Sequence, residues 1–233
     1  MNTSPSSTVL AFDVYGTLID PFRMEEHLRP AFGPRAREAS ELWRGKQLEY
    51  SWRRALMKTY RDFNHCTEQA LRFVSTQLGA PLDEETLRAL MNQYLRLPAY
   101  PDAPAALEML AARGYKILAC SNGTKAAVRG LLERAGVLPL FTGIVSVDAI
   151  ATFKPDPAVY EFLAAQALSP KENVWLISSN PFDVIGAKVY GLRAAWVRRD
   201  PKRAFDPWEF EPDLIVSSLG ELSDNLTIST RLI

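Results

Sequence analysis

The chain has 233 residues, is 47% hydrophobic and 23% charged, and carries 27 Lys plus Arg against 27 Asp plus Glu, for a formal net charge of zero. These values describe a soluble globular protein, one large α/β domain or a core with an insertion, and leave nucleic acid without an electrostatic footprint. Two cysteines, Cys66 and Cys120, are too few for a disulfide framework, and His27 and His65 have no neighbour at metal-ligand spacing, which excludes a zinc site.

The first eight residues, "MNTSPSST", are polar and contain no signal-type apolar segment. No apolar run approaches the ~18 residues of a membrane span. The expected setting is a reducing cytoplasm. The first strand candidate is "VLAFD" at 9–13. It ends in Asp13, a carboxylate that is costly to bury unless it is paired or used.

No strand candidate follows between Pro21 and about Pro98. Amphipathic helices are predicted at 34–63, 66–79 and 83–97 instead. They read as a helical lid over residues 22–98, inserted after the first strand of a core made of residues 1–21 and 99–233. A Pro-rich return linker, "LRLPAYPDAP", leads back to that core.

The rest alternates. Strands are predicted at 115–122, 143–147, 173–180 and 193–199, with a sixth at 212–218. Helices fall at 103–114 and 125–136, each closed by a glycine, and at 156–168 behind Pro157. Strand–helix alternation at this spacing predicts βαβ units and a doubly wound, mostly parallel, Rossmann-like sheet. The basic run "RRDPKR" at 198–203 is read as a solvated loop.

Ligands of such sheets bind beyond the carboxyl ends of the strands. The residues there are Asp13, Tyr15 and Thr17; Ser121 and Asn122; Lys154 in "FKPD"; and Ser178, Ser179, Asn180 and Asp183. Each alone has a structural explanation, because Ser-Asn-Gly makes turns and "KPDP" starts helices. Together they offer two carboxylates and an ammonium. An Asp can act as a nucleophile, forming an ester that water opens, and Lys154 would keep Asp13 ionised and oriented.

"DVYGT", "SNG", "KPD" and "SSNPFD", in this order, resemble the haloacid dehalogenase superfamily. With "LWRGKQLEYSW" in the helical insertion, the chain resembles more narrowly the (S)-2-haloacid dehalogenases, over nearly its whole length. The phosphatases of the superfamily place a second Asp two residues after the nucleophile, to protonate a departing alkoxide. Tyr15 stands there in this chain, and halide needs no proton to leave.

The resemblance implies a cytoplasmic, often homodimeric hydrolase that uses no metal or other cofactor. Its substrate is a short (S)-2-haloalkanoate, attacked at C2 by Asp13 and released as the (R)-2-hydroxy acid. It assigns catalytic roles to Asp13, Thr17, Lys154, Ser178, Asn180 and Asp183. Asp183, with Ser178 and Asn180, positions or activates the water. It places Arg44, Asn122 and Phe182 at the halide. Val14, Tyr15, Leu48 and Phe63 lie around the substrate's apolar part, and Tyr160 lies near the lysine. The substrate carboxylate falls to Ser121, Lys154 and backbone N–H groups.

Two departures concern halide and substrate size: "SSNPFD" stands for the family's common "SSNAWD", and "FKPD" for "YKPD". Arg44 also reads as a surface helix residue, and Leu48 and Phe63 as simple packing. Trp43, Tyr50 and Trp52 either pack inside the helical layer or face a second subunit. Three alternatives stay open: a Mg-dependent phosphatase of the same superfamily, a catalytically silent binding protein, and a dehalogenase active on fluoroacetate.

Overall fold

The computed structural model describes residues 8–229. Strands β1 (Val9–Asp13), β2 (Lys116–Ser121), β3 (Gly143–Ser146), β4 (Val174–Ser178), β5 (Arg193–Val197) and β6 (Leu214–Val216) form one parallel sheet ordered β3-β2-β1-β4-β5-β6. Every residue of β1 and β4 is buried. That explains their unbroken apolar runs, since strands covered on both faces lose the alternation of a half-exposed sheet. All six strand expectations correspond to observed strands, trimmed by a residue or more at most ends.

Asp13 pairs with Cys120 of β2, and Phe12 with Ile177 of β4. The strand order reverses about β1, so the carboxyl ends of β1 and β4 flank the crevice where open α/β sheets hold ligands.

Helices α1 (Met24–Phe32), α2 (Ala36–Leu56), α3 (Phe63–Gln77) and α4 (Glu84–Tyr94) follow β1, and α5 (Ala103–Ala112) returns to the sheet. After β2 come α6 (Lys125–Arg134), α7 (Pro157–Ala167), α8 (Pro181–Tyr190) and α9 (Leu219–Ser229). Two helical expectations change. The helix expected over 34–63 ends at Leu56, because Lys58 turns left-handed at φ 55°. Asp62 then caps a new helix by accepting from the His65 N–H, so Phe63 opens α3. Helix α1 is additional. Met24, Leu28 and Phe32 bury one face at four-residue spacing, and Pro30 in its last turn hides the pattern.

The chain leaves β1 and returns to α5 along one seam. Ile19 bridges Ala99 in antiparallel fashion, the Asp20 N–H donates to Pro98 O at 3.0 Å, and the Tyr100 N–H donates to Leu18 O at 2.8 Å.

Candidate active site

The turn after β1 sets Asp13. The N–H groups of Leu18 and Ile19 both donate to Val14 O at 2.9 Å, and that of Thr17 donates at 3.3 Å. The backbone folds back through Gly16 at φ +94°, a conformation L side chains rarely adopt. The fold-back lets Thr17 Oγ1 donate to Asp13 Oδ2 at 2.8 Å while accepting from the Ser179 N–H at 2.8 Å. Val14 is wholly buried, and its carbonyl closes this turn.

Lys154 supplies the charge. Its ammonium donates to Asp13 Oδ1 at 3.0 Å, Asp183 Oδ2 at 2.8 Å and Cys120 O at 2.9 Å. Those three bonds engage all three ammonium protons. In this arrangement no ammonium proton is left over for a further acceptor. Burial pulls the Lys154 pKa down, but the Asp13 and Asp183 carboxylates outweigh it and hold the ammonium protonated. The Lys154 loop is tied down where its N–H donates to Asn122 Oδ1 at 3.0 Å and its carbonyl accepts from Trp52 Nε1 at 3.0 Å.

Asp183 lies in the first turn of α8, where the helix dipole favours a carboxylate. Its side chain is fully buried. Burial and the nearby Asp13 charge raise its pKa above the ordinary carboxylate value, against the lowering by Lys154. Tyr160 donates to Asp183 Oδ1 at 2.9 Å and to its carbonyl at 3.1 Å. A buried base with a raised pKa, oriented by a tyrosine, suits proton removal from water.

Asn180 completes the carboxylate's surroundings. Its Nδ2 donates to Asp13 Oδ2 at 2.8 Å and to Tyr15 O at 3.1 Å. Arg44, from α2, donates to Tyr15 O at 3.2 Å and to Gln47 Oε1 at 2.7 Å. A divalent cation does not fit this donor set. The amide holds the carboxylate oxygen and the main-chain oxygen that a cation would share, and the guanidinium competes for the second.

Ser178 and Ser121 hold turns. Ser178 Oγ accepts from the Asn180 N–H and Ser121 Oγ from the Gly123 N–H, both at 3.1 Å, which leaves each hydroxyl proton free to donate. Tyr15 forms an apolar wall with Phe63, at 5.7 Å between ring centroids, and stacks on Tyr94 at 5.6 Å. Its buried hydroxyl has no hydrogen-bond partner among the described residues. Burial raises the pKa of this phenol, so it is a poor proton donor. Leu48 is half-buried on α2, and Phe182 meets Trp52 edge-on at 5.2 Å. Cys120 and Cys66 are buried free thiols, pushed up by desolvation to about 12 and about 11, and stay protonated.

Sequence reasoning missed several supports. Gln47 is buried and joins Arg44 to Tyr94, whose hydroxyl it meets at 3.0 Å. Its signal was its place three residues after Arg44 on one helix face. Gly186 lets Tyr160 approach, because a Cβ there would lie 2.4 Å from the phenol oxygen. Nothing in the sequence marks that contact.

A carboxylate at the switch point, held by lysine, threonine and asparagine, is an arrangement that suits a hydrolase. The profile of haloacid dehalogenase-like hydrolases matches residues 8–191. The (S)-2-haloacid dehalogenase of Pseudomonas sp. strain YL is 40% identical over 211 residues, 90% of each chain. That of Pseudomonas fluorescens is 37% identical over 218 residues, 94% of this chain and 96% of its own. The L-2-haloacid dehalogenase of Xanthobacter autotrophicus, solved with chloropropionic acid covalently bound, superposes with TM-score 0.87 at 33% identity, covering 94% of this chain and 98% of its own. The chain belongs to the haloacid dehalogenase-like hydrolases and, within them, to the (S)-2-haloacid dehalogenase family.

Proposed function

We propose that the protein hydrolyses short (S)-2-haloalkanoates to (R)-2-hydroxy acids and halide through an ester on Asp13. The observation that carries this reading is the Asp13 carboxylate, fixed through both oxygens by Lys154, Thr17 and Asn180, with Tyr15 where a proton-donating Asp would serve a phosphatase. Asp13 attacks C2 in line, the C–halogen bond breaks, and the carbon inverts. Arg44, Asn122 and Phe182 receive the halide. Ser121 and nearby backbone N–H groups take the substrate carboxylate, while Val14, Tyr15, Leu48 and Phe63 border its apolar part. Asp183, with Ser178 and Asn180 nearby, takes a proton from water as it attacks the Asp13 carbonyl carbon. The ester C–O bond on the Asp13 side breaks, the proton left on the new Asp13 carboxyl passes to the departing alkoxide, and the hydroxy acid leaves.

Residues 22–98 act as the cap over this site, and residues 1–21 and 99–233 as the core. The protein works in the cytoplasm, where two buried thiols stay reduced, as a homodimer; among the described residues no helix is long and apolar enough to cross a membrane.

Halide release should be compared for (S)- and (R)-2-chloropropionate and for fluoroacetate, with and without EDTA. The reading expects chelator-resistant release from the (S)-acid. A phosphatase would instead need Mg²⁺ and a phosphate ester. In ¹⁸O-labelled water the label should enter the Asp13 carboxylate, and a carboxylate that stays unlabelled after repeated turnovers rules out the ester.

A further inference from the structure

Three cations of the run "RRDPKR", Arg198, Lys202 and Arg203, are exposed, as a solvated loop would have them. Arg199 departs from that expectation. Its side chain keeps 17% of its exposure and turns inward beneath the nucleophile turn. Nη2 donates to Thr17 O at 2.6 Å and Nε donates to the same oxygen at 3.2 Å. Nη1 meets both Asp102 oxygens, at 3.0 and 3.2 Å. The guanidinium lies 3.8 Å from the centroid of the Tyr100 ring.

We infer that Arg199 is a positioning residue for the nucleophile. It holds Thr17 by its carbonyl and, through the Thr17 hydroxyl, orients the Asp13 carboxylate. The inference rests on the dehalogenase reading for its kinetic consequence, and on geometry alone for its structural one.

The Thr17 N–H is bonded at 3.3 Å, the longest contact to Val14 O in the turn. The carbonyl side therefore has the stronger anchor, in two guanidinium N–H groups. Thr17 Oγ1 is also fully engaged, donating to Asp13 Oδ2 and accepting from Ser179 N. A displacement of Thr17 thus moves the nucleophile and loosens the Ser178–Asn180 turn together. The same fork reaches the return segment, since Asp102 also accepts from Leu219 N at 2.8 Å at the start of α9. Arg199 thereby fixes the outgoing and incoming chains against each other. A lysine has one compact ammonium and cannot hold the carbonyl doubly while also chelating Asp102.

The test compares Arg199→Lys and Arg199→Gln with Asp102→Asn, which keeps both bonds to Thr17 O and loses the ion pair. Reaction rates depend steeply on the placement of reacting groups, so both Arg199 variants should lose about tenfold or more in kcat for (S)-2-chloropropionate. KM should stay within about threefold, and single-turnover ester formation should slow in step with kcat. Asp102→Asn should lower Tm and leave kcat within about twofold.

Amide hydrogen exchange at Ser179 provides a reading that needs no substrate. It should speed up in Arg199→Lys and stay unchanged in Asp102→Asn. Wild-type kcat in both Arg199 variants overturns the inference. So does an Asp102→Asn loss of kcat equal to theirs, which makes the role structural only, and so does unchanged Ser179 exchange in Arg199→Lys. A wild-type protein that releases no halide would strike the dehalogenase reading instead, and the exchange experiment would still decide the role of Arg199.

Discussion

Tyr160→Phe isolates one hydrogen bond to the base. The ring is fully buried, and its hydroxyl lies 2.9 Å from Asp183 Oδ1. Phenylalanine fills the same space, so packing against Gly186 is kept. A hydrogen bond to a charged group is worth about 1.5–3 kcal/mol. It favours the ionised carboxylate, and about 1.4 kcal/mol is one pH unit. The Tyr160 hydroxyl is shared with the Asp183 carbonyl at 3.1 Å, which places the effect at the lower end, about one unit.

The sign follows from the role of the group. Asp183 accepts a proton only when ionised, so activity falls as pH drops through its pKa. Burial already lifts that pKa above the usual carboxylate range, and removing the hydroxyl lifts it further. The acid limb of kcat for (S)-2-chloropropionate should move up by about one unit, with the rate above it largely restored. Halide release followed across the acid and neutral range measures this. An acid limb that stays in place or moves down would refute the assignment of Asp183 as the titrating base.

Other perturbations follow from the same geometry. Lys154→Met leaves two buried carboxylates uncompensated, a loss of about 3–5 kcal/mol, and should lower Tm by about 6–20 °C and abolish ester formation; calorimetry showing a wild-type Tm would contradict the network. Asn180→Asp replaces the donor facing Asp13 Oδ2 and Tyr15 O with an acceptor. Its dehalogenation should fall about a hundredfold or more, and Mg²⁺ at a hundred times its Kd should stabilise the variant by about 2.7 kcal/mol, with no such effect on wild type. Gly186→Ala puts a Cβ 2.4 Å from the Tyr160 hydroxyl and should cost about 1–3 kcal/mol, shift the acid limb upward as Tyr160→Phe does, and add little on top of that variant's shift. A denaturant titration and the pH profile of the double variant check both parts.

The chemistry-bearing side chains were legible because each follows a strand. Asp13, Ser121, Ser178 and Asn180 stand at or just after buried apolar runs, and a parallel sheet gathers those ends. The identity of Tyr15 separated carbon–halogen chemistry from phosphate chemistry. Bonds to main-chain oxygens were not legible. Cys120 O as the third acceptor of Lys154, Tyr15 O as the meeting point of Asn180 and Arg44, and Thr17 O as the anchor of Arg199 have no side-chain signature. Arg199 sits in a basic run that composition assigns to solvent, and only the path of the chain after β5 turns it inward. Helix α1 was hidden for a local reason: Pro30 weakens the expectation of a helix, although the apolar face of Met24, Leu28 and Phe32 outweighs it.

The three-proton embrace of Lys154 also sets the charge history of the cycle. In the resting site, two buried carboxylates face one ammonium, an excess of one negative charge. Alkylation turns Asp13 into a neutral ester, so Lys154 and Asp183 are left as a balanced pair. The halide leaves from a pocket whose fixed charge has just risen by one. Reopening the ester returns the Asp13 charge while Asp183 holds the proton taken from water, so the excess charge reappears only when Asp183 releases that proton. On the proposed route the alkylated enzyme is thus a charge-balanced form of the site, with Lys154 facing Asp183 alone.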